Sequence, residues 1–330
     1  MKAGDVLKPL GNLKFIPDWF NHEVEISDHT ISVHHQIKCF PADITKPNNT
    51  IPYSFYDSKN IPVTAANHFR GYEENDFEFV DNRHIDAEIR QKLAGKSLYL
   101  GWLFSHYGHF LTESLSRLWV IEEVDFQGFD YFLFNYKQNK KGDILKAQFI
   151  WDTLAKLGIN KEKVVLIDDC YTIEELHIPT QALVLRSGVS KKMNSVWSQV
   201  SKPNAHPHLK TYISRTEIPR RALQNEIDLQ NALKEKGFKV IAPQNMSFED
   251  QLAIYAKTKL LVSPAGTGLH NAVFMPKNTR IISITHEDFL LINELLCCYA
   301  SEVDYQVYLT ESVQTDGQWS VDIKDFLAYL

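Results

Sequence analysis

The sequence has 330 residues, 44% hydrophobic and 23% charged, with a formal net charge of -6 at pH 7. That balance excludes a disordered chain, and it argues against a nucleic-acid partner, whose protein footprint is basic. The length allows one large domain or two ordinary ones.

The opening MKAGDVLKPLGNLKF lacks the apolar centre of a signal peptide, and no run nears the roughly 20 apolar residues of a bilayer span. A soluble, cytoplasmic protein is expected. Cys39, Cys170, Cys297 and Cys298 make no C-x-x-C pair, which argues against a disulfide scaffold or zinc ribbon and fits a reducing compartment. Residues 1–95 carry Asn, His, Pro and short β-type runs such as HTISVHHQIKCF. The histidines between 22 and 35 read as plain β-structure, with an acceptor-shaping role as the alternative. From Lys96 the pattern changes: SLYLGWLF reads as a strand, His109 to Glu123 as a helix, YFLFNY as a strand, ILKAQFIWDTLAKLG as a helix and KVVLID as a strand.

Three short apolar runs follow at 173–189, and SVWSQVSKPNAHPHLK reads as a polar linker. Beyond it the order is regular. TYISR, FKVIAP, KLLVSP and RIISI are strands. LQNEIDLQNALKEKG is a helix stopped by Gly237, and SFEDQLAIYAKT is a helix with Ser247 and Asp250 in its first turn. Such alternation predicts a parallel sheet with helices on both faces, and ligands bind outside the carboxyl ends of such strands.

Those ends carry the candidate residues. Gly266 and Gly268 in SPAGTGLHNAVFMP let backbone approach a ligand, and the following first turn suits a phosphate. A tight strand-to-helix corner is the alternative. Arg215 ends the first strand of this half, where a forked cation would grip phosphate oxygens. Arg220 and Arg221 read as surface or ion-paired. Asn225 and Glu226 open the next helix, as dipole partners or as ribose ligands. His270 faces a phosphate or packs. In SHYGHFLTESLSR, helical steps gather His106, His109, Glu113, Ser116 and Arg117 on one side, with Leu111, Leu115, Leu118 and Trp119 on the other. His109 or Glu113 could be a general base, the cluster could bind a metal, or Glu113 could simply pair with Arg117.

Taken in order, HYGHFLTESLSRLW, YISR with RR and NE after it, GFKVIAPQNMSFEDQ and SPAGTGLHNAVFMP resemble glycosyltransferase family 61, in its bacterial capsule and lipopolysaccharide branch. The resemblance covers about residues 98–284. It implies an α/β GT-B fold: two Rossmann-like domains with parallel sheets facing across a cleft. The expected division is 1–205 for the acceptor and 206–330 for the nucleotide sugar, the last helix crossing back. It implies inverting transfer from a nucleotide-diphosphate sugar, UDP-linked by expectation, to a hydroxyl of a glycan or lipid-linked glycan. No metal or other cofactor is expected, and peripheral association with the inner membrane face is.

By the same resemblance Arg215 clamps the diphosphate. Gly266, Thr267, Gly268 and His270 form the phosphate loop, Asn225 and Glu226 lie on the nucleotide side, and His109 and Glu113 are the base candidates. One departure is visible: many relatives carry His-Gly-Ala-Gly here, and Ala265 stands in place of that histidine. The chain also lacks a DxD triplet, Asp168-Asp169 being a bare pair. Other classes make a different use of these residues: a Rossmann oxidoreductase, a metal hydrolase built on His106, His109 and Glu113, or a binding protein that has kept the fold without catalysis. The absent GxGxxG argues against the first of these.

Overall fold

The computed structural model describes residues 1–10, 17–45, 49–71, 74–89, 91–204, 206–218, 222–290, 292–310 and 319–330. They form two compact units, one of Ile26–Val200 and the other of Met1–Glu25 with Ser201–Leu330. In chain order the strands of the two main sheets are β1 (Leu7–Leu10), β2 (Ile31–Cys39), β3 (Phe55–Tyr56), β4 (Gln91–Trp102), β5 (Tyr131–Asn135), β6 (Val164–Leu166), β7 (Tyr171–Pro179), β8 (Leu209–Ile213), β9 (Phe238–Ile241), β10 (Thr258–Pro264), β11 (Arg280–Thr285) and β12 (Asp304–Leu309).

The 26–200 unit holds a mixed sheet in the order β3-β2-β7-β4-β5-β6. β7, β4, β5 and β6 run parallel. β2 is antiparallel to both β7 and β3. Ile37, Leu93, Tyr99, Leu133, Ile173, Leu176 and Ile178 fill one core of this unit. From β4 the chain goes to β5 on one side, and later returns to β7 on the other. The carboxyl ends of β4 and β7 therefore meet at a switch point, where the outgoing connections diverge and leave a crevice.

Two expected elements differ here. The first is the linker reading of SVWSQV: Met193–Val200 is a helix that buries Met193, Val196, Trp197 and Val200. That is an i, i+3, i+4, i+7 stripe, masked in the sequence by serines and a glutamine between the apolar positions. The second is the continuous helix over 109–123. The chain makes a short α-turn at Tyr107–His109, a π-helical turn at Phe110–Ser114 and a 3₁₀ turn at Leu118–Glu122. Regular 100° steps do not describe it.

The second unit has an all-parallel sheet in the order β1-β12-β11-β10-β8-β9. Tyr212, Leu229, Leu233, Leu260, Val262, Ile282 and Ile284 pack on one another there. Without β1 the order is 2-1-3-4-5, a doubly wound sheet whose switch point lies between β8 and β10. The connecting helices start and stop where local chemistry directs. Ser247 accepts from the Asp250 N–H at 3.1 Å and caps Phe248–Tyr255. Gly237, at φ +81°, ends Glu226–Glu235.

The chain passes between the units differently from the expected single break near 205 with a returning last helix. The first strand crosses instead: β1 pairs with β12, Leu7 opposite Tyr305, and covers what would otherwise be a bare edge. The last helix, Ile323–Leu327, stays with its own sheet through the buried Phe326.

Trp197 is fully buried, and its indole N–H donates to the Leu111 carbonyl at 3.1 Å. Trp197→Ala is expected to cost about 3–5 kcal/mol, read as a lower midpoint in chemical denaturation.

Candidate active site

Beyond Trp102, at the end of β4, the chain turns into the π-helical segment, and the Phe104 N–H donates to Ser114 Oγ at 2.9 Å. π-turns recur at functional sites because the widened turn re-aims its side chains. This one aims Glu113 inward. Glu113 is 1% exposed. His68 Nε2 donates to its Oε1 at 2.8 Å, and Arg70 donates from Nε at 2.9 Å and from Nη2 at 2.7 Å to the same oxygen. Arg70 Nη2 also reaches Oε2 at 2.8 Å, and His109 Nδ1 donates to Oε2 at 2.5 Å.

Burial alone would raise the Glu113 carboxyl. The hydrogen bonds from His109 and His68 and the Arg70 charge outweigh it and hold the group well below the usual carboxylate range. Glu113 is thus an ionised acceptor with both oxygens occupied. An ionised carboxylate only accepts, so the ring nitrogens facing it carry the protons. For His109 that leaves Nε2 as the lone-pair nitrogen of the neutral ring, on a side chain that is 40% exposed. His68 is fully enclosed, and burial pulls it below the ordinary histidine value. The His106 ring lies 5.0 Å from that of His109 and is lowered by burial and by that neighbour.

Arg117 does not pair with Glu113. It is buried, donates to the carbonyls of Asn67 (2.7 Å), Ala65 (3.3 Å) and Pro179, and lies 5.3 Å from the Tyr99 ring centre. Burial lowers its guanidinium to about 10. Gly101, beside the Arg117 side chain, has φ +90°, a backbone conformation that favours glycine.

In the other unit Arg215 follows β8 and Gly266 follows β10, so both stand at the β8/β10 switch point. Arg215 is 7% exposed. Burial pulls its guanidinium down, while Glu226 and Tyr212 pull it back up. Gly266 has φ +150°, and a Cβ on it would fall 2.8 Å from Arg215 Nη1, so the arginine lies across bare glycine backbone. Glu226, buried in the first turn of its helix, accepts from the Arg215 N–H at 2.6 Å and the Tyr212 hydroxyl at 3.1 Å. Its Oε2 has no hydrogen-bond partner among the described residues.

Of the remaining expected donor residues, Asn225 is engaged elsewhere. Its amide donates to the Val321 carbonyl at 2.8 Å and accepts from the Val321 N–H at 3.1 Å, which ties down the C-terminal segment. Gly268 packs on Ile213, with a hypothetical Cβ 3.3 Å away. Thr267 is half-buried and His270 buried on the 3₁₀ helix Thr267–Phe274. Arg220 and Arg221 lie outside the described residues.

Sequence reasoning missed His68 and Arg70. The only signal was the pair itself, His-x-Arg in an irregular stretch, with nothing in the spacing to link it to Glu113.

Glu113→Gln removes the anion and leaves the Arg70 charge without its partner, a loss expected at about 3–5 kcal/mol. A depressed carboxyl stabilises the fold above its unfolded value, near 4.3. The difference between wild type and variant should therefore be constant from pH 7 to about 5 and shrink as pH falls further. Urea denaturation at each pH measures it.

No curated protein matches the chain. A model of the glycosyltransferase 61 family matches residues 107–282, just over half of its length. The matched stretch contains His109, Glu113, Arg215, Glu226, Gly266 and His270, and begins after both β1 and Arg70. The chain belongs to the glycosyltransferase 61 family.

Proposed function

We propose that this glycosyltransferase is an inverting enzyme that moves a sugar from a nucleoside-diphosphate donor to a hydroxyl of a glycan acceptor. The observation that carries the reading is the His109–Glu113 pair at the end of β4: a half-exposed imidazole whose inner nitrogen is held at 2.5 Å by a buried anion. In this mechanism the acceptor hydroxyl gives its proton to His109 Nε2 as its oxygen attacks the anomeric carbon. Glu113 stabilises the resulting imidazolium and is not itself the base, because its protonation lies far below working pH. The bond to the diphosphate breaks on the opposite face, which inverts the anomeric centre.

The departing diphosphate is assigned to Arg215 and to the opening N–H groups of Thr267–Phe274, supported by their shared switch point. Glu226 holds the Arg215 backbone, and its second oxygen is the acceptor we assign to the donor's ribose. Asn225 leaves the donor set, because Val321 occupies it. The functional division is that of a GT-B enzyme, with the donor on the 201–330 side and the base on the 26–200 side. The order of the four motifs supports the bacterial capsule and lipopolysaccharide branch, a UDP-sugar donor and work at the inner membrane face. No helix of the described residues is long and apolar enough to cross a membrane. Metal hydrolysis at His106, His109 and Glu113 is the weaker reading, since Arg70 and two imidazoles already occupy the carboxylate.

Thermal shift with UDP, GDP and CDP tests the donor side. At 100 times its dissociation constant one of them should add about 2.7 kcal/mol, with EDTA making no difference. Arg215→Ala and Gly266→Ala should both abolish the shift, the second by displacing the arginine. Full affinity in Arg215→Ala overturns the clamp.

His109→Ala should retain the shift and lose sugar transfer by about 10²–10⁴-fold. That loss is measured as release of the nucleoside diphosphate from the conjugate that binds. An unchanged rate places the base elsewhere.

A further inference from the structure

We propose that Arg70 is a positioning residue for the base: it neutralises Glu113 so that His109 rests as a neutral imidazole with Nε2 free to take the acceptor proton. This rests on the reading of His109 as the base. Arg70 lies outside the stretch matched by the family and more than 40 residues before Glu113 in the chain, yet it supplies three of the contacts to that carboxylate.

The segment that carries Arg70 is built to hold it. Arg117 binds the carbonyls of Ala65 and Asn67. Gln181, just past β7, accepts from the Phe69 N–H at 2.7 Å and donates to the Phe69 carbonyl at 3.2 Å. Asn75 accepts from the Arg70 N–H at 2.9 Å and donates to the His68 carbonyl at 3.2 Å. The guanidinium sits 5.0 Å from the Phe77 ring centre and 6.0 Å from that of Phe104. Its own side chain is only 22% exposed. A surface ion pair would not need this framework.

The electrostatic need is specific. A bare buried carboxylate beside an imidazole favours the imidazolium, which cannot accept a proton. A cation on the far side of the carboxylate offsets that pull. The groups that face the pair are His106 on its own turn, His68 and Arg70 from the 64–77 segment, and Arg117, whose donors point at carbonyls. His68 donates to Glu113 as a neutral ring and adds no charge. Arg70 is therefore the cation that balances Glu113, and the planar fork reaches both of its oxygens.

The test is long-range proton–nitrogen NMR of the full chain carrying ¹⁵N-histidine, with His109 assigned by its loss in His109→Gln. Wild type at pH 7 should show His109 protonated on Nδ1 with Nε2 bare. Arg70→Gln keeps donors but no charge, and should raise the ratio of imidazolium to imidazole at His109 roughly tenfold. Arg70→Lys keeps the charge and should leave the ratio within about twofold of wild type. An unchanged ratio in Arg70→Gln, or an equal rise in Arg70→Lys, overturns the proposal. Full sugar transfer by His109→Gln would instead remove the base on which it rests, and the spectra distinguish the two failures.

Discussion

In a sheet of parallel strands, neighbouring connections normally run over the strand ends and cover them. Only where successive connections leave to opposite sides does a crevice open onto the backbone. Each unit of this chain has one such place, between β4 and β7 in one sheet and between β8 and β10 in the other. Four of the candidate residues stand at one of these two ends. His109 and Glu113 follow β4, Arg215 follows β8, and Gly266 follows β10. The strand order thus decides where reactive groups can be useful before any side chain is considered.

Each crevice then repeats one device, a buried carboxylate that positions another group. Glu113 orients an imidazole, and Glu226 accepts from the backbone N–H of Arg215. A buried carboxylate costs several kcal/mol unless donors surround it. The donors found here are Arg70, His68 and His109 for one, and Tyr212, Gln230 and the Arg215 N–H for the other. Rigidity follows from that requirement. A group whose partner must remain buried and bonded cannot swing away, so the His109 ring and the Arg215 backbone inherit fixed positions.

Much of the second unit was legible because its grammar is local. A strand of β-branched residues, a glycine stop and a serine cap are each written within a few positions, and β8 to β11 lie where those signals put them. The β4 crevice was legible in its residues but not in its geometry. His109 and Glu113 do meet, at the i,i+4 spacing, yet the π-turn breaks the regular face that would have joined Arg117 to them. Arg117 turns to backbone carbonyls, a partner no residue pattern announces. The Met193–Val200 helix was hidden for a related reason: its stripe of four apolar residues is narrow, and the polar residues between them dominate the composition. β1 was invisible because pairing with a strand almost 300 residues away leaves no local trace.

The same reasoning sets a limit on what the family-matched stretch can do alone. Residues 107–282 carry Glu113 but neither Arg70 nor His68. Cut from the rest, that stretch would bury an anion with a single imidazole against it. Removing one partner from a buried ion pair costs about 3–5 kcal/mol, a large share of the 5–15 kcal/mol that holds a typical domain together. It would also lack β4, from which the Glu113 segment leaves, and the β12–β1 pair at the edge of the other sheet. The leading hundred residues are therefore part of the same folded units on physical grounds, although the family match does not extend to them. Relatives that keep a histidine and a glutamate at this spacing must meet the same charge requirement, and a cation reaching the carboxylate from outside the matched stretch is one way to meet it.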